Sequence, residues 1–100
     1  MKIVERMIQD IFPGQNSALD DIDKRYDAIE VTLGFPPKKR LFCLSGPHSN
    51  MSLVIEREWE SLAAMEAAYD KAFAHPEIQA LWGEGSTIIK GSRTELYTPA

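Results

Sequence analysis

Apolar and polar residues alternate and recur along this chain with two periods. Over residues 3–12, Ile3, Met7 and Ile11 fall on one face and Val4, Ile8 and Phe12 on the other, with Glu5, Arg6, Gln9 and Asp10 mixed in. That is the period of a strand, and Pro13-Gly14 ends it. Leu19, Ile22, Tyr26, Ile29 and Leu33 then recur at spacings of 3 and 4, the stripe of an amphipathic helix. Ser17 with Asp20 reads as its capping box, and Asp20, Asp21 and Asp23 crowd the turns where the helix dipole favours negative charge. Gly34 and Pro36-Pro37 stop it.

Residues 40–45 read as a short second strand, and Ser45-Gly46-Pro47-His48-Ser49-Asn50 as the turn after it. Met51 to Trp59 gives the cleanest alternation: Met51, Leu53, Ile55, Arg57 and Trp59 against Ser52, Val54, Glu56 and Glu58. Glu60 or Ser61 opens a second helix lined by Leu62, Met65, Ala68, Tyr69, Ala72 and Phe73, with further alanines raising helix propensity. His75-Pro76 breaks it, because proline has no amide to continue the ladder. Pro76 begins a short helical turn through Trp82 that Gly83 and Gly85 end. Ile88 to Tyr97 is the last strand.

The order βαββαβ predicts a ferredoxin-like α+β sandwich, one domain over residues 1–100 with an antiparallel sheet. Helices cover one face of such a sheet. Apolar side chains on both faces point to a second copy on the other, so the expected assembly is a homodimer whose two sheets enclose a small barrel. A chain this short buries roughly two-thirds of its unfolded surface, and association adds burial at about 25 cal/mol per Å². Which face of the third strand looks into the barrel stays open.

Charge narrows the partners. The net charge is −4 and the only basic run is Lys38-Lys39-Arg40, which reads as a solvated strand edge. This disfavours a nucleic-acid partner, since phosphate neutralisation needs a basic face. No stretch approaches a membrane span and the N-terminus lacks a signal-peptide core, so no membrane partner is expected. Cys43 is the only cysteine, lies in the apolar run Leu41-Phe42-Cys43-Leu44, and fits a reducing cytoplasm and a core role.

Candidate chemistry is sparse. His48 lies in a Gly-Pro-Ser loop and reads as solvated. His75 lies at a helix end, where an imidazole meets terminal carbonyls; of the two histidines it is the better, though poor, candidate for an axial haem ligand. Neither belongs to a paired metal pattern, and Asp20, Asp21 and Asp23 lack the calcium-loop pattern, so neither metal nor other cofactor is expected. Arg57 and Trp59 share a strand face and offer a cationic handle and an aromatic wall. The plainer reading of Trp59 is a core or interface anchor. Glu56 and Glu58, on the opposite face, fit an acid/base pair if buried, or a wet face pairing with Arg93.

These residues resemble the dimeric α+β barrels, and most of all the NIPSNAP-like branch. Glu5 followed by Pro13-Gly14, the run Trp59-Glu60-Ser61-Leu62, and Ala74-His75-Pro76 with Trp82 carry that resemblance. Met7 and Arg57 depart from it, standing where the branch tends to carry Arg and Trp. The resemblance implies a homodimer holding a small hydrophobic or aromatic molecule between the sheets, with Arg57, Trp59, Asn50 and His75 as candidate ligand contacts and no cofactor. The antibiotic-biosynthesis monooxygenases of the same superfamily are similar in placing a Trp at the end of this strand with an Asn and an Arg. That similarity implies, as an alternative, cofactor-independent oxygenation of an electron-rich aromatic at Trp59, Arg57 and Asn50. A third reading is a structural dimer with a filled interior.

Overall fold

The computed structural model describes residues 1–48 and 52–100, so the expectations for Asn50 and Met51 lie outside the described residues. The elements are β1 (Ile3–Ile11), α1 (Asn16–Glu30) continued by a 3-10 turn (Val31–Leu33), β2 (Lys38–Phe42), β3 (Leu53–Trp59), α2 (Leu62–Phe73), α3 (Pro76–Gly85) and β4 (Ile89–Tyr97). The strands form one four-stranded sheet in the order β2-β3-β1-β4, each neighbour antiparallel. This is the ferredoxin-like α+β arrangement.

Register decides which side chains share a face. Ile3, Glu5, Met7 and Gln9 of β1 stand opposite Trp59, Arg57, Ile55 and Leu53 of β3. All of these lie on the side covered by the helices. Two apolar clusters fill that layer. One gathers Ile3, Phe35, Trp59, Met65, Ala68, Ala72 and Ile78; the other gathers Leu19, Ile22, Leu53, Ile55, Leu81 and Ile88, and Tyr26 and Ile29 pack against both. Arg57 and Trp59 therefore face the helices of their own chain, not a space between two sheets.

The opposite face carries Val4, Arg6 and Ile8 beside Glu58, Glu56 and Val54. Arg6 Nε lies 3.3 Å from Glu56 Oε2, and Lys2 Nζ lies 3.1 Å from Glu58 Oε1. The two glutamates thus pair with β1 and the N-terminus, not with Arg93. Arg93 instead meets His48, whose Nε2 is 3.9 Å from Glu95. The segment after β2 therefore reaches over to β4 on this face, and His48 is not a free loop side chain. Ile8, on the same face, is only 3% exposed.

Several local expectations are corrected. Helix α1 begins at Asn16 after Gln15 with no side-chain cap, so the Ser17–Asp20 box does not form. Asp20 and Asp23 project instead toward β2, where Arg40 Nη2 and Nε lie 2.8 Å from their respective carboxylates. The basic run is not a solvated edge: the Lys38 side chain is 7% exposed and faces Asp23, Asp27 and Glu30. Strand β2 runs Lys38–Phe42 and not 40–45 because alternate residues Lys38 and Arg40 are held by α1. Gly83 lies inside α3, and Phe73 is exposed rather than core. At the end of the first helical segment Gly34 takes the left-handed conformation, φ 85°, which favours glycine. Ser61 caps α2 as its position suggests, its Oγ accepting from the Ala64 amide at 3.0 Å.

Candidate ligand cavity between sheet and helices

Three polar residues of neighbouring strands form a row on the helix side. Glu5 of β1 and Lys38 of β2 both stand opposite Arg57 of β3. Helix α1 lays Asp23, Asp27 and Glu30 over this row at helical spacing. Arg57 Nη2 donates to Glu30 Oε1 at 2.6 Å, and its guanidinium lies 5.0 Å from the centre of the Phe35 ring. Lys38 Nζ lies 3.0 Å from Asp27 and 3.4 Å from Glu30.

Beside this network the Glu5 carboxylate is 3% exposed. Its Oε1 accepts from Trp59 Nε1 at 3.0 Å, and its Oε2 accepts from the Tyr69 hydroxyl. Phe35 meets Trp59 and Tyr69 edge to face, with centroids 5.2 and 5.1 Å apart. Burial and the nearby acidic groups hold the Tyr26 phenol up at about 12. Burial, then the bond to Glu5, pushes the Tyr69 phenol up as well. Burial also raises the Asp23 carboxyl, against the pull of Lys38 and Arg40.

A cavity of about 90 Å³ lies in this layer. Met7, Ile55, Ile78, Ala72, Phe35 and Trp82 give it apolar and aromatic walls; Gln9, Arg57, Glu30, Lys38, Tyr26 and Tyr69 give it polar ones. An open groove of about 450 Å³, lined also by Pro36, Pro37 and Arg40, shares Glu30, Phe35, Lys38 and Arg57 with it. Two buried polar atoms of the lining residues have no protein partner: Oε1 of Gln9 and Nε of Arg57. Gln9 is 9% exposed and Arg57 5%. One is an acceptor, the other a donor. Among the described residues no group of His, Cys, Asp and Glu is disposed to hold a metal ion.

The residues singled out in the sequence are not brought together. Arg57 lines the cavity. Trp59 stands behind Phe35 and Tyr69, its indole committed to Glu5. His75 lies at the junction of α2 and α3, donating its amide to the Ala72 carbonyl at 3.0 Å and accepting from Gln79; its Nδ1 is buried without a partner, away from the cavity lining. Asn50 lies outside the described residues. Glu5, Gln9, Glu30 and Tyr69 were missed as site residues. A signal for two of them exists: Glu5 and Gln9 are polar at odd positions of β1, the positions that pair with the apolar face of β3.

Fold and cavity together define a class, a ferredoxin-like α+β domain with a polar-lined chamber under its helices. Solved structures share the fold. A NIPSNAP family protein from Agrobacterium tumefaciens superposes with a TM-score of 0.82 at 21% identity, covering 99% of this chain and 86% of that one. An uncharacterized NIPSNAP-like domain protein from Burkholderia xenovorans gives 0.80 at 17% identity, covering 99% and 85%. A putative antibiotic biosynthesis monooxygenase from Chloroflexus aurantiacus gives 0.60 at 18% identity, covering 100% and 94%. The fold is that of the NIPSNAP-like proteins, and the monooxygenase is the more distant likeness. No protein-family model matches the chain, and no curated protein matches it in sequence. No helix among the described residues is long and apolar enough to cross a membrane.

Proposed function

We propose that the chain binds a small, partly aromatic molecule in the chamber between its sheet and its helices. One observation carries this reading: an unpartnered acceptor, Gln9 Oε1, and an unpartnered donor, Arg57 Nε, both belong to lining residues at least nine-tenths buried. A buried polar atom without a partner costs about 1–3 kcal/mol. A ligand with one hydroxyl and an aromatic body supplies both missing partners and fills the apolar walls. The site lies within one chain because register turns Arg57 toward α1. Trp59 stands behind the wall and does not line the chamber, which favours binding over the oxygenase reading.

Phenol is the minimal probe. Calorimetric titration is expected to show saturable binding at one site per chain, lost in Arg57→Ala and weakened in Gln9→Met. Binding unchanged in both variants would remove the chamber as the site.

The assembly belongs to the same proposal. Val4, Val54 and Leu41 leave apolar surface partly or largely exposed on the face away from the helices, beside the Arg6–Glu56 pair. A second copy laid on this face buries that surface and leaves the chambers under the helices free. Light scattering at micromolar concentration should give twice the chain mass, and Val54→Lys should return it to one.

A further inference from the structure

Glu5 is a buried carboxylate with no cation within ion-pair distance among the described residues; both its oxygens accept from neutral donors, Trp59 and Tyr69. Burying a carboxylate among neutral donors alone is costly, so a role beyond packing is worth seeking for it. Tyr69 lines the chamber, whereas Glu5 does not. Since the phenolic hydrogen is committed to Glu5, the phenolic oxygen has only lone pairs left to offer an occupant. Arg57 lines the same chamber with an unused N–H. A proton acceptor and a cationic donor on one chamber are the two halves of a device for taking a proton beside a carbonyl group.

We infer that Tyr69 and Glu5 form a proton relay, and that the occupant is a small enolisable carbonyl compound. This rests on the chamber being a binding site. In the step, the C–H bond next to the carbonyl breaks and its proton goes to the Tyr69 oxygen. The Tyr69 proton passes to Glu5 Oε2, and the electron pair moves onto the carbonyl oxygen, where the Arg57 guanidinium holds the enolate. The reverse step returns a solvent-derived proton once Glu5 has exchanged with water. Nothing is oxidised or reduced, and no second reactant enters. Tyr69 is the catalytic residue; Glu5 acts through it.

The test uses phenylacetone in heavy water. Proton magnetic resonance follows deuterium exchange at the carbons beside the carbonyl, and tryptophan fluorescence, from Trp82 on the chamber and Trp59 behind it, follows binding. The protein is expected to speed exchange over buffer on the order of a hundredfold or more. Tyr69→Phe and Glu5→Gln should bind phenylacetone and exchange at the buffer rate, and Glu5→Asp should restore part of the acceleration. If Glu5→Gln does not fold, Tyr69→Phe carries the test. Binding without accelerated exchange overturns the relay and leaves the binding site standing. Acceleration that survives both substitutions also overturns the relay. Phenylacetone that does not bind overturns both.

Discussion

Arg57 of β3 and Glu30 near the end of α1 meet at 2.6 Å, both largely buried. The pair ties sheet to helix. Removing one partner of a buried pair leaves the other uncompensated, at about 3–5 kcal/mol. Glu30 is also 3.4 Å from Lys38, but Lys38 keeps Asp27 at 3.0 Å, so Glu30→Gln strands Arg57 alone. Its expected destabilisation in urea is about 3 kcal/mol; a loss below about 1 kcal/mol would show that the contact is not held in solution.

Gln9→Met separates binding from folding. Losing an unpartnered buried carbonyl should raise the stability of the ligand-free protein by about 1 kcal/mol, while phenol binding weakens. Parallel urea melts and titrations check both directions. A variant that is less stable and binds equally well would mean that the Gln9 amide is satisfied in the free protein.

Alkaline titration reads the two buried phenols. Both are raised in the folded state, Tyr26 to about 12 from an unfolded value of 10.0, Tyr69 further still. Above pH 10 the unfolded chain releases protons that the folded chain keeps, so stability falls as pH rises. It is fully present below the unfolded value and lost toward the folded one. Urea midpoints should decline from pH 10 upward, and less steeply in Tyr69→Phe. Midpoints flat to pH 12 would contradict the burial of both rings.

Ser61→Ala removes the hydroxyl that accepts from the Ala64 amide. The expected cost is about 1 kcal/mol, with the fold and the chamber intact. Circular dichroism melts compared with the parent protein measure it.

Much of the fold is legible in the periodicity, because the strands of a half-buried sheet repeat with period two and α1 carries a clear stripe. Element order and the ferredoxin-like arrangement follow from it. The register of β1 against β3 does not, since it depends on pairing between residues some fifty positions apart, such as Glu5 with Arg57. Without register, odd residues of β3 have no assigned side, so Arg57 and Trp59 read equally well as lining a space between two sheets. The same gap hides Glu5: a glutamate between Val4 and Arg6 looks like a surface residue until Trp59 and Tyr69 are seen to close over it. Lys38 and Arg40 look solvated because the acids that hold them come from a helix read, in isolation, as needing acids for its own dipole.

Four side chains, Glu30, Phe35, Lys38 and Arg57, belong to the open groove and the inner chamber alike. Groove and chamber therefore share a wall made of oppositely charged groups and an aromatic ring. Salt screens a buried ion pair only weakly, so this shared wall should keep its hold as ionic strength rises.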